Sequence, residues 1–212
     1  MNPMLTKFNW FGLAGGVTTL LVIAASMFYP WWQLTVGDDL LKINASPVNT
    51  NFGFPDTSFT IPLILALNIV SILTLLASGI AMIVYSIIPR KSYSKHLLGF
   101  GYKKPLYAVL FFVIGLVVAT VILQAALRIN VPLMGSATST LPIPFASGIT
   151  LRILLSAGFQ WSFWLAVVAA GLCIAARLYH KKVAIDAQKP AQVTPVAAKV
   201  EPPIAPSETA TP

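Results

Sequence analysis

Four apolar stretches, at residues 10–32, 61–88, 105–127 and 157–178, each contain an uncharged run about 20 residues long, enough to cross the ~30 Å hydrocarbon layer of a bilayer. A segment surrounded by lipid must satisfy its own backbone hydrogen bonds, and for runs of this kind that means helices. The expected fold class is therefore an all-α membrane protein, a four-transmembrane-helix bundle with a small β-prone extracytoplasmic region. The bundle is expected over residues 1–182, with outer loops at 33–60 and 128–156 and a tail at 183–212.

Only 9% of the chain is charged and 57% is hydrophobic, against roughly 25% charged residues in soluble globular domains. The net charge of +8 is not read as a nucleic-acid footprint, because the basic residues cluster beside the apolar spans. Eleven of the fourteen lie before span 1 (Lys7), at 89–104 (Arg90, Lys91, Lys95, Lys103, Lys104) or after the apolar run of span 4 (Arg177, Lys181, Lys182, Lys189, Lys199). Lys42, Arg128 and Arg152 are the three in the other two loops. The positive-inside rule then places both termini and the 89–104 loop in the cytoplasm of a multi-pass protein of the cell (plasma) membrane. Lipid is the first expected partner, and no nucleic acid is expected.

The single cysteine, Cys173, lies within span 4, so no intramolecular disulfide can staple the outer loops. Residues 1–26 also fit a secretory signal, with Lys7, an apolar run and the small residues Ala24, Ala25 and Ser26. Against cleavage, the apolar run continues through Met27, Phe28 and Tyr29 into Trp31 and Trp32. Trp31, Trp32, Trp161 and Trp164 fall near span ends, where aromatic rings settle at the membrane surface, and they are expected to be interface anchors.

Small residues four apart mark a helix face along which backbones approach closely in lipid. Such pairs are Gly12 and Gly16, Ala77 and Ala81, Gly115 and Ala119, Ala166 and Ala170, and Gly171 and Ala175. Bulk at Gly115 or Gly171 is accordingly expected to disrupt assembly. Internal packing of the bundle is the expected use of these faces, and a homo-oligomer seam is the alternative.

The first outer loop reads as a hairpin, with Trp32–Val36 and Leu40–Asn44 flanking Gly37 and Asp38. In the second, residues 148–155 fit a third strand, an early start to span 4 or an interfacial helix. Asn44-Ala45-Ser46 matches the N-glycosylation pattern, although Pro47 is an unfavourable neighbour. The tail carries six prolines and no aromatic residue, too little apolar surface to offset its ordering entropy, and is expected to be disordered.

The spans hold no Asp, Glu, Lys, Arg or His before Arg177, whereas proton relays, many ion-coupled transporters and voltage sensors place such groups at membrane depth. Asn68, Ser71, Thr74 and Gln124 are the candidate intramembrane polar contacts, read first as interhelical hydrogen bonds. His96 and His180 lack further ligands in sequence, and Asp38, Asp39 and Asp56 read as turn residues. With no G-x-S-x-G, P-loop or dinucleotide fingerprint, the expectation is no catalytic residue, no cofactor, no metal and no enzyme.

The layout resembles that of the claudin group and related tetraspan proteins: cytoplasmic ends, a β-prone first outer loop that begins with tryptophan after span 1, and a second outer loop. That resemblance implies contacts made by the outer loops. The chain departs from those families in lacking the Gly-Leu-Trp segment and the cysteine pair of their first loop, so the likeness extends to the arrangement alone. The expected function is a non-catalytic accessory or scaffold subunit, or a cell-surface organiser, partnered by other membrane subunits or by its own copies. The alternative is a small transporter or channel subunit for a neutral or lipophilic solute.

Overall fold

The computed structural model describes residues 8–37, 40–88, 93–127, 129–142 and 150–188, of which 127, 141, 142, 150, 151 and 182–188 are described as backbone alone. Four helices are long and apolar enough to cross a membrane, the mark of a multi-pass membrane protein. They are α1 (Trp10–Phe28), α2 (Pro62–Ile87), α3 (Ser94–Leu127) and α4 (Trp161–Gln188). Between α1 and α2 run four strands, β1 (Trp32–Val36), β2 (Leu41–Ala45), β3 (Asn51–Gly53) and β4 (Ser58–Phe59), and between α3 and α4 run β5 (Gly135–Pro142) and β6 (Thr150–Phe159). Since α2 and α3 are joined by a short link, every strand falls at one end of the bundle.

The strands form one antiparallel sheet in the order β4-β3-β2-β1-β6-β5. β1 is the seam between the two insertions: Trp32 stands opposite Ala45 of β2 on one side and Phe159 of β6 on the other. The hairpin reading of the first loop matches β1 and β2, and Gly37 adopts φ 63° at the turn, a left-handed conformation that glycine reaches without the Cβ penalty. Asp38 and Asp39 lie outside the described residues.

Three boundaries differ from the sequence reading. Of the three readings of residues 148–155, the strand holds: β6 continues to Phe159, so α4 starts at Trp161 rather than at 157. The tail does not begin at 183, because α4 runs to Gln188; beyond that the chain lies outside the described residues. Pro105, read as a helix start, is internal to α3, which begins at Ser94.

An internal proline leaves the carbonyl four residues earlier without its helical donor. That carbonyl belongs to Gly101, and the Ser78 hydroxyl of α2 donates to it at 2.9 Å. A Cβ at Gly101 would stand 2.6 Å from Met82 Cγ, so α3 can approach α2 this closely only without a side chain there.

Helix α1 sits between α2 and α4, its most extensive neighbours. Added Cβ atoms show how near they come: one at Gly16 would lie 2.7 Å from Ile83 Cγ1 and 2.8 Å from the Gly79 carbonyl, and one at Gly15 would lie 2.9 Å from Cys173 Sγ. In lipid, where apolar expulsion gives helices no reason to associate, such van der Waals fit holds the bundle together. At the sheet-bearing end, Ile23 of α1 and Leu75 of α2 enclose Val48 from the β2–β3 turn. At the other end Met82, Tyr85, Leu98, Cys173 and Ala176 form a separate apolar cluster.

Candidate functional site

The sheet and the helix ends beneath it form one unit through two adjacent tryptophans. Trp31 is 1% exposed, packed among Val22 of α1 and Phe163, Ala166 and Ala169 of α4, with Phe112 of α3 meeting its ring edge-on at 5.1 Å. Its indole Nε1 donates to Ser26 Oγ at 2.7 Å, which satisfies the one polar group of a buried ring. Its backbone joins both insertions: the Trp31 N–H donates to Ala45 O, and the Gln160 N–H donates to Trp31 O. Trp32 is 3% exposed, on the inner face of the sheet with Leu34, Leu155 and Ala157 against Leu116 of α3, and its Nε1 donates to the Leu133 carbonyl at 2.8 Å. Ser162 Oγ donates to Pro30 O at 2.5 Å, tying α4 to the α1–β1 junction.

The expectation of Trp31 and Trp32 as interface anchors is therefore corrected. Both are core residues of the joint, because the sheet folds over the position where a span end would otherwise meet the membrane surface. Trp161 and Trp164 are more than half exposed on α4, compatible with facing lipid, and Trp161 meets the Tyr29 ring at 5.2 Å.

The small-residue pairs divide in the same way. Gly12 and Gly16 lie in close contact with α2, and Ala81, Ala166 and Ala170 are buried. Ala175 is half-buried, while Ala77 and Ala119 are exposed. Gly115 and Gly171 are exposed too, and a Cβ at either meets nothing within 4 Å, so these two line no helix crossing inside the chain. Bulk at either position therefore meets open space within the chain, and the homo-oligomer seam is the use of these two faces that remains.

The four polar candidates are not brought together. Ser71 and Thr74 line a groove of about 430 Å³ between α2 and α3, walled by Leu67, Val70, Tyr107 and Phe111. Asn68 is buried and does not line it, and Gln124 is exposed on α3. The interhelical polar contacts come instead from Ser78, whose hydroxyl donates to the Gly101 carbonyl of α3, and from Asn9, which lies outside the apolar spans. Asn9 caps α1 by accepting from the Gly12 N–H at 3.0 Å, and its Nδ2 donates to Tyr85 Oη at 3.0 Å and to the Ala176 carbonyl at 3.1 Å, linking three helices. An Asn just before the first periodic apolar residue was the available signal for the cap; its other two bonds span 76 and 167 residues of sequence and have no local signature.

Among the described strand residues the sheet carries two charges, Lys42 in β2 and the exposed Arg152 in β6, which stands opposite Thr140 of β5. Outside the inner face, β5 alternates: Ser136, Thr138 and Thr140 are exposed, while Ala137 and Ser139 are more deeply placed. As the last strand in the order, β5 pairs with β6 along one side, and its other side is unpaired among the described residues. At the opposite edge Phe52, Phe54 and Phe59 stack, with centroids 5.4 and 6.0 Å apart, where β4 leads into α2. Asn44 of the glycosylation pattern lies in β2 with its Nδ2 donating to Asn51 Oδ1 at 3.0 Å, so its amide is engaged in the folded chain. No protein-family model matches the chain, and no curated protein matches it in sequence.

Proposed function

We propose that the protein is a non-catalytic tetraspan subunit of a membrane assembly, oriented with the basic end of its bundle in the cytoplasm, which recognises a membrane-protein partner through its outer sheet. The observation that carries the reading is strand β5. An eight-residue edge with an open side is a template for pairing with another chain, and proteins that do not use such an edge blunt it with lysine, inward charge or proline. The first seven residues of β5, Gly135 to Leu141, carry no charge and no proline, and Pro142 ends the strand. Its backbone donors and acceptors are available for strand addition, with the alternating Ser and Thr side chains giving specificity.

Purification of the full chain from its native membrane in mild detergent, followed by mass measurement, tests this. A stable heteromeric partner is expected, and Ser136→Lys combined with Thr138→Lys releases it while the bundle keeps its thermal midpoint to within about 2 °C, as for surface changes away from packing. Retention of the partner by the lysine variant, or recovery of the parent chain alone, contradicts the reading.

The groove between α2 and α3 supports a second reading, binding of a lipophilic solute. Its walls are mainly apolar, with Ser46, Thr50, Ser71, Thr74 and the Lys104 cation as the polar groups that would orient a ligand. Solute uptake into liposomes that is lost with Thr74→Phe would favour it.

A further inference from the structure

At the end of the bundle away from the sheet, α3 and α4 enclose a second cavity of about 430 Å³, within the roughly 300–1,000 Å³ range of small-ligand sites. Lys95, Gly99 and Tyr102 follow one another at helical spacing along one face of α3, and Arg177 and Lys181 do so along α4. Lys103 completes a ring of four cations. None of the four has an ion-pair partner among the described residues, whose one described carboxylate, Asp56, is at the sheet end. Asp186 lies five residues beyond Lys181 on α4, with its side chain outside the described residues. Like charges gathered about a low-dielectric recess repel one another, and an anion relieves that repulsion.

The site is shaped as well as charged. The Arg177 guanidinium lies 4.3 Å over the Tyr102 ring, which holds its fork of donors in place. Beside it, His180 meets the Tyr85 ring edge-on at 5.6 Å. A Cβ at Gly99 would meet nothing within 4 Å, so the absent side chain leaves the recess open. The depth indicates the source of the anion. About 20 helical residues cross the hydrocarbon layer, so an α4 entering at Trp161 leaves it near Lys181, and the cations lie at headgroup level. Leu178 and Phe100, 63% and 41% exposed beside the site, offer apolar surface to acyl chains.

We propose that this cavity binds the phosphate of an anionic phospholipid headgroup, with Arg177 as the bidentate donor and Lys95, Lys103 and Lys181 as surrounding charge. Basic recesses between spanning helices on the cytoplasmic side suit this chemistry. The proposal stands apart from the reading of β5 and does not depend on it.

Native mass spectrometry of the full chain, exchanged into detergent with phosphatidylglycerol or phosphatidylcholine, tests it. One tightly retained phosphatidylglycerol is expected, with phosphatidylcholine held at least about tenfold more weakly, and with ~5 mM inorganic phosphate failing to displace it. Gly99→Leu fills the recess without changing charge and removes the retained lipid. Lys95→Gln with Lys181→Gln weakens retention roughly 30-fold, about fivefold per cation, and serves in place of Gly99→Leu should that variant not fold. Lys104→Gln changes charge at the same end but lies outside the recess, with its ammonium 5.3 Å from the Phe100 centroid, and leaves retention unchanged. Equal retention of both lipids, undiminished retention by Gly99→Leu, or an equal loss with Lys104→Gln overturns the proposal. Displacement by inorganic phosphate overturns the assignment to lipid.

Discussion

The two ends of the bundle hold the same four helices by different means. At one end a six-stranded sheet, continuous through β1, is fastened by Trp31 and Trp32, whose rings fill the joint and whose backbone and indole groups are fully used. At the other end no strand is present among the described residues, and the helices are tied by the Asn9, Tyr85 and Ala176 bonds over a smaller apolar cluster. The sheet end is nearly neutral and presents backbone edges, while the far end is basic and presents a recess. Ordered backbone suits recognition of another chain, and cationic side chains around a recess suit an anionic headgroup.

The largest effect should come from Trp31→Ala. It removes a fully buried ring from contact with three helices and leaves Ser26 without its indole donor, for an expected loss of about 3–5 kcal/mol in unfolding experiments. If the ends are held independently, hydrogen exchange rises first in β1 and β6 and least around Tyr85. A uniform rise would erase the distinction.

Next in size is Gly16→Leu, whose side chain must displace Ile83 and the Gly79 backbone carbonyl. Overpacking of this kind costs about 1–3 kcal/mol or more, since backbone must move. Gly171→Leu meets open space and should leave the thermal midpoint of the monomer near that of the parent. A loss of oligomer mass with Gly171→Leu alone would show that its face packs against another copy.

Asn9→Ala should have the smallest effect on unfolding, about 1–2 kcal/mol from a lost cap and two hydrogen bonds between helices. Its sharper signature is regional: exchange increases at the start of α1 and along the last turns of α2, with the sheet unaffected. Protection lost equally in β1 would again merge the two ends.

The spanning helices were legible in the sequence because lipid imposes length and apolarity on each segment separately. The hairpin of β1 and β2 was legible for a similar reason, since its β-branched runs and turn are neighbours in sequence. β3 and β4, of three and two residues, are too short to show a period, and β5 is small and polar rather than alternately apolar. These strands exist because β2 and β6 offer them a ladder, a tertiary fact with no local trace. Trp31 and Trp32 misled in an instructive way: their position after a span is that of interface anchors, and only the fold of distant residues such as Leu133 and Phe163 over them makes them core. Pro105 gave the signal of a helix start, and the Ser78 hydroxyl that lets it sit inside α3 comes from another helix.

The claim that most needs testing is that the sheet and the basic recess face opposite sides of the membrane. Single cysteines at Ser136 in β5 and at His96 in α3, both exposed, can be placed in a Cys173→Ala background and exposed to an impermeant maleimide on intact cells. The positive-inside arrangement predicts labelling at position 136 at once and at position 96 only after the membrane is permeabilised. Labelling of both positions in intact cells would put the sheet and the recess on one side and contradict the account, and labelling of position 96 with protection of position 136 would reverse the orientation.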